Sequence, residues 1–126
     1  MVIAQRVFLV AGIYGLLVLG LSLGLEQQIA LNDPPPITHP EFFYGFIAVG
    51  LAWQVAFLVI ATDPVRYRPL MIPAMLEKAG FLIACIILYC MSRINIGTMV
   101  MSLIDGMFLC LFIWAFMRTP PWNQKS

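Results

Sequence analysis

Asp105 stands near the middle of the apolar run 96–116, and Glu77 and Lys78 interrupt a second such run, 70–91. Gln54 adds an amide to a third, 42–61. A charged side chain at the centre of a bilayer costs about 2.5–3.5 kcal/mol even on the most lenient scale. A carboxylate there must be neutral, paired or reached by water. The chemistry open to it is proton donation or acceptance, ion pairing, or a hydrogen bond to a buried ligand. Ser102 belongs with Asp105, because Thr98, Ser102 and Asp105 fall four and three residues apart and share a helical face. Glu77, Gly80 and Ala84 share a face of their own run in the same way.

At about 1.5 Å per helical residue, Gln54, Glu77, Lys78, Ser102 and Asp105 reach similar depths and form a polar layer. Three roles are open to it. The expected one is structural: Asp105 pairs with Lys78, or bonds to Gln54 and Ser102, and so sets the register of the helices. The alternative is a pocket for a small amphipathic molecule such as a quinone, lipid or sterol-like ligand, with Glu77 or Asp105 as candidate proton donors or acceptors. The third is an ion or proton path, which needs a continuous polar line. The first apolar run offers only Tyr14 near its centre. Lys78 has a further option, snorkelling back to the interface with Glu77 beside it.

Other chemistry finds little support. The lone histidine, His39, and Glu41 are candidates for an outer pocket, against the simpler reading of a solvated ring and a helix-capping carboxylate. Cys85, Cys90 and Cys110 all lie in apolar runs without CxxC or Cys/His spacing, so they read as small hydrophobes. No metal site is expected, and no cofactor of the chain's own. A Ser/His/Asp set, a phosphate loop and a haem-ligand pair are missing from the sequence. Proton transfer by a buried carboxylate leaves no motif and stays open.

The elements that must position these groups are membrane helices. Of 126 residues, 62% are hydrophobic and 10% charged, against about 25% charged in an average soluble domain. A net charge of +1 does not provide the concentrated basic face that nucleic acid needs. Four runs approach the roughly 20 residues of a spanning helix: 7–25, 42–61, 70–91 and 96–116. The expected architecture is one all-α membrane domain over 1–126, an antiparallel four-helix transmembrane bundle. Pro69 and Pro73 suit a third helix that begins near residue 70.

Charge in the connections gives the orientation. Arg6, Arg66, Arg68, Arg118 and Lys125 fall on one side, while Arg93 stands against Glu26, Asp33 and Glu41 on the other. The positive-inside rule then puts both termini in the cytoplasm. The first run is too long for a signal-peptide core and lacks a cleavage site, so a retained helix is expected. The outer loop, 26–41, contains Pro34, Pro35 and Pro36, which predict an extended stretch. Thr38 and Glu41 have capping-box spacing, which starts the second helix at about residue 39.

Small residues recur at helical spacing: Gly12, Gly20 and Gly24 in the first run, Gly45, Ala48, Ala52 and Ala56 in the second, Gly80 and Ala84 in the third. Close backbone approach at such positions holds membrane helices together, within the bundle or against a partner.

The order of four short spans, with Thr62-Asp63-Pro64-Val65-Arg66-Tyr67-Arg68-Pro69-Leu70 after the second and Leu76-Glu77-Lys78 early in the third, resembles small bacterial four-helix membrane proteins of the DoxX-like type. The resemblance covers residues 7–118 and rests on architecture and this one stretch. Proteins of that type are mostly of unknown function, but some are subunits of membrane oxidoreductase assemblies, which implies protein partners and quinones here, and the resemblance transfers no catalytic residue. The expected function is a non-catalytic accessory or scaffolding subunit in a bacterial cytoplasmic membrane, among lipids and other subunits or copies of itself. A ligand-binding protein or proton-transfer enzyme is the alternative, and a transporter the third.

Overall fold

A continuous apolar run has one local solution in an apolar solvent, because every backbone N–H and C=O must find an internal partner. Each of the four runs is accordingly helical, and a fifth, shorter helix lies between the first two. In chain order they are α1 (Val2–Ser22), α2 (Glu26–Asn32), α3 (Pro40–Thr62), α4 (Met71–Cys90) and α5 (Ile96–Arg118), with a 3₁₀ turn, Arg68–Leu70, leading into α4. The computed structural model describes residues 2–122, and no strand occurs among them. Four of its helices, counting the turn with α4, are long and apolar enough to cross a membrane. Lys125, grouped above with the inner charges, lies outside the described residues.

Several helix ends depart from the ends of the apolar runs, because hydropathy marks where a segment is greasy and not where its hydrogen bonding begins. α1 starts at Val2 and carries Gln5 and Arg6 in its first turns. It stops at Ser22, short of residue 25. The Ser22 hydroxyl turns back to donate to the Val18 carbonyl at 2.8 Å, and the Leu23 and Gly24 amides close the end on Gly20 and Leu21. Residues 26–41 are not all loop, since α2 occupies the first part. Its Glu26 carboxylate accepts the Tyr44 hydroxyl at 2.7 Å, which ties α2 to the start of α3.

The capping box expected at Thr38 does not form. His39 is the N-cap of α3 and no side chain bonds the free amides there. Pro40 takes the first helical position, where a missing N–H does no harm. The His39 ring instead meets the Glu41 carboxylate at 3.2 Å, and both side chains are exposed. α5 is the helix with well-held ends. Asn95 accepts the Thr98 amide at 2.8 Å. At the other end Arg68 donates from Nε to the Phe116 carbonyl at 3.3 Å, with its guanidinium 3.8 Å from the Phe116 ring centre.

α1 packs along α3 and α4 along α5. α1 also meets α5, whereas α3 and α4 scarcely touch. The molecule is therefore two helix pairs joined on one side and parted by a seam on the other. Where α1 begins and α3 ends, the interior is closed by the Phe8, Phe57 and Phe112 rings, all fully buried. Phe8 stacks on Phe112 at 4.3 Å and Phe57 meets Phe112 edge-on at 5.0 Å. Ala4, Ala11, Ala74 and Ala115 let the backbones approach around these rings.

The glycines that serve packing within the chain are partly different from those expected. A Cβ on Gly12 would come within 2.7 Å of Leu58 and one on Gly50 within 2.7 Å of Leu19, and one on Gly106 within 3.1 Å of Leu82. At Gly20, Gly24, Gly45 and Gly80 it would meet open space, and Ala48, Ala52 and Ala84 are exposed. Helical geometry explains the difference. At 100° per residue, Gly20 drifts about 80° from Gly12, and Gly24 lies beyond the end of α1 at Ser22. Gly45 and Gly80 lie about 160° from the inward-facing Ile47 and Lys78.

Candidate functional site: a polar cavity among four helices

Beyond the aromatic core, toward the end where α1 stops and α3 starts, four helices enclose a cavity of about 190 Å³. α1 contributes Tyr14 and Gly15, α3 Gln54, α4 Glu77 and Lys78, and α5 Asp105. Most of its remaining lining is apolar, including Phe46 and Phe81.

Lys78 is the centre of the charge arrangement. It does not snorkel to the interface but turns inward and is 4% exposed. α4 puts it on the same stripe as the buried Met71, Ala74 and Cys85, so reaching the surface would require crossing the helix face. Its Nζ donates to Asp105 Oδ1 at 3.1 Å and lies 3.8 Å from Glu77 Oε2. The Phe57 and Phe108 ring centres stand 5.3 and 5.6 Å from it, so the ammonium also rests against π-faces. Two carboxyl groups and one amine are thus gathered around one point, Lys78 almost fully withdrawn from solvent and Glu77 and Asp105 largely so.

Neither Ser102 nor Gln54 bonds to Asp105. The Ser102 hydroxyl donates to the Met99 carbonyl one turn back at 2.7 Å, the local bond a serine makes most readily inside a helix. The Gln54 amide nitrogen donates to the Gly50 carbonyl at 2.9 Å. Among the described residues that leaves Gln54 Oε1 buried without a donor, and Glu77 Oε2 likewise accepts no hydrogen bond. A buried polar atom without a partner costs about 1–3 kcal/mol. Gln54 is 2% exposed, yet its oxygen can stand there only because the facing residue is Gly15. A Cβ at that position would overlap the Gln54 amide.

A second, larger hollow of about 600 Å³ runs along the outside between α3 and α4, from Glu41 and Phe42 at one end to Trp53 and Glu77. Phe46, Gly50, Glu77 and Phe81 line both spaces. The Phe46 and Phe81 rings, their centres 6.0 Å apart and so in contact, belong to the wall the two spaces share. Glu41 and Phe42 border the cleft, and His39 meets both, the carboxylate at 3.2 Å and the ring at 5.2 Å between centres, without lining it. The arrangement offers fixed donors and acceptors in an apolar enclosure, with an apolar approach from the side.

The polar layer was visible from depth counting, whereas Gly15, Gly50, Phe46 and Phe81 were not. Gly15 had a signal: Ala4, Phe8, Ala11, Gly12 and Gly15 follow the i, i+4, i+7, i+8, i+11 face of a helix. Comparison with models of known families, with curated proteins and with solved structures finds no match. The site's own geometry is what bears on function.

Proposed function

We propose that the chain is an antiparallel four-span protein of a bacterial cytoplasmic membrane, with both ends inside, that holds a small amphipathic molecule. The polar end lies in the cavity beside Lys78 and Glu77, and the apolar remainder lies in the cleft between α3 and α4. The observation that carries this reading is a cavity lined by Tyr14, Gln54, Glu77, Lys78 and Asp105 that shares Phe46, Gly50, Glu77 and Phe81 with a lateral cleft, beside a buried Gln54 Oε1 that has no partner among the described residues. A polar layer serving only to set helix register would gain nothing from an acceptor left open, since an unsatisfied group destabilises the bundle it is meant to specify. The orientation is supported by charge and by contact. Arg6 shares a surface hollow with Thr62 and Arg68 reaches Phe116, which groups the basic helix ends on one side, the side the positive-inside rule assigns to the cytoplasm.

A second reading keeps the accessory subunit that the DoxX-like resemblance implies. It is favoured by the outward rows Gly45, Ala48, Ala52 and Gly80, Ala84, which offer close approach to another helix. The two readings separate under native mass spectrometry of the gently solubilised protein. Ligand holding predicts a retained adduct of lipid mass that survives collisional activation and is lost in Gly45→Phe, a change that fills the cleft where a Cβ meets nothing. A bare chain accompanied only by larger protein partners would replace ligand holding with the accessory role.

A further inference from the structure

At the other end of the molecule from the cavity, where α1 begins and α3 ends, we infer a second site: a groove that seats one anionic phospholipid. The groove has a volume of about 330 Å³ and is lined by Gln5, Arg6 and Leu9 of α1 and by Leu58, Ala61 and Thr62 of α3. Within each helix these residues stand three or four positions apart and share a face. They are also sorted by depth. Gln5, Arg6 and Thr62 stand near the helix ends, while Leu9 and Leu58 lie about one turn further into the spans. The groove therefore has a polar rim and an apolar wall. The wall is held in place, because Leu58 rests against the bare backbone of Gly12, where a Cβ would come within 2.7 Å of it.

The rim is rich in unused donors. A guanidinium has five N–H groups and a side-chain amide two. Neither Arg6 nor Gln5 makes a side-chain hydrogen bond or an ion pair among the described residues. The Thr62 hydroxyl gives its hydrogen to the Val59 carbonyl and has only acceptor capacity left. A phosphodiester matches this rim, since it brings several acceptor oxygens around one negative charge and the guanidinium fork can take two of them at once. An ammonium head would face Arg6, and an uncharged glyceride would leave that charge unmatched. Asp63 follows Thr62 but makes no ion pair with Arg6, and its Oδ1 accepts the Arg66 amide at 3.3 Å. Arg6, Arg66, Arg68 and Arg118 outnumber it on this side, which favours a head of net negative charge over a zwitterion. The apolar wall below the rim identifies a lipid and not a free phosphate as the source. The phosphate sits at Arg6 and Gln5, and the first carbons of the chains lie on Leu9 and Leu58.

The test is native mass spectrometry of the full chain in mild detergent, titrated with phosphatidylglycerol and phosphatidylcholine of identical acyl chains. It is run on the wild type and in the Gly45→Phe background, where the cleft is filled, so that loss of the cavity's ligand and loss of this lipid are read separately. The expected result is a single retained phosphatidylglycerol, preferred over phosphatidylcholine in both backgrounds. Arg6→Gln should weaken its retention by about fivefold to tenfold, the size of one hydrogen bond. Thr62→Glu, which sets a carboxylate at the same rim from the other helix, should weaken it likewise. Arg118→Gln removes the same charge from the same side outside the groove and should leave retention unchanged. Equal losses in Arg6→Gln and Arg118→Gln overturn the site and leave a diffuse basic surface. Equal retention of the two lipids by the wild type overturns the anionic assignment. Displacement of the lipid by glycerol 3-phosphate at equal concentration overturns the lipid as the source and makes the groove a site for a soluble phosphate.

Discussion

Lys78 and Asp105 meet at 3.1 Å in a site where each is largely withdrawn from solvent. The pair does not make the bundle stable in the way its short distance suggests. Desolvating two ions consumes most of what their attraction returns, whereas removing one partner leaves an uncompensated charge and costs about 3–5 kcal/mol. The presence of Glu77 makes the two removals unequal. In Asp105→Leu, Lys78 keeps Glu77 at 3.8 Å. In Lys78→Met, two carboxylates lose the one ammonium between them. Lys78→Met is therefore expected to be the more damaging single change, and the double variant Lys78→Met/Asp105→Leu should recover much of the loss. Equilibrium unfolding in mixed micelles of mild detergent and dodecyl sulfate measures the cycle. Additive losses in the double variant would show that the two residues do not act as a pair. Counting residues along two helices was enough to bring these side chains to one depth. It could not show which way Lys78 turns, because that depends on whether Phe57 and Phe108 are there to receive it, and a contact between three helices has no trace in any one of them.

At the scale of elements, the helices could be read from hydropathy and their ends could not. Ends are decided by single hydrogen bonds, and several residue types compete for each. Thr38 had the right spacing to cap α3, but the chain puts His39 there and follows it with a proline. Asn95, which does cap a helix, stands in a connection as short as any turn. The least legible end is the last turn of α5, whose Phe116 carbonyl is met by Arg68 from 48 residues away in sequence. The free carbonyls there carry partial negative charge, and the guanidinium adds stacking on the Phe116 ring. Arg68→Lys keeps the charge and loses both the directed Nε–H bond and the planar face. It is expected to lower stability by about 1–2 kcal/mol, of the order of one charge-assisted hydrogen bond, while Arg66→Lys on the exposed side of the same connection should change it by less than about 0.5 kcal/mol. Thermal unfolding of the two variants in the same detergent makes the comparison. Equal effects would mean that Arg68 acts only as one more positive charge near the interface.

The whole molecule is divided along its length. One half is closed by stacked phenylalanines with alanines between them, and the other holds the cavity and the α3–α4 cleft. The division follows from where the small and large residues fall. Phe8, Phe57 and Phe112 fill one end, whereas Gly15 and Gly50 leave room at the other. The charged helix ends are unevenly divided along the same axis, with Arg6, Arg66, Arg68 and Arg118 against Asp63 beside the closed half and Glu26, Asp33 and Glu41 against Arg93 beside the open one. If the basic side is cytoplasmic, the cleft opens into the outer leaflet, and a ligand would enter from the lipids of that leaflet. Cysteine labelling decides the orientation once Cys85, Cys90 and Cys110 are replaced by alanine, two of them being exposed on the native helices. Thr38→Cys should react with a membrane-impermeant maleimide on intact cells. Arg66→Cys should react only after the membrane is opened. The reverse pattern would turn the molecule over, put the cleft in the inner leaflet and make the cytoplasmic lipid pool the source of whatever the cavity holds. Labelling of both positions on intact cells would mean that these helices do not cross the membrane in alternating directions, and the antiparallel arrangement would fall with it.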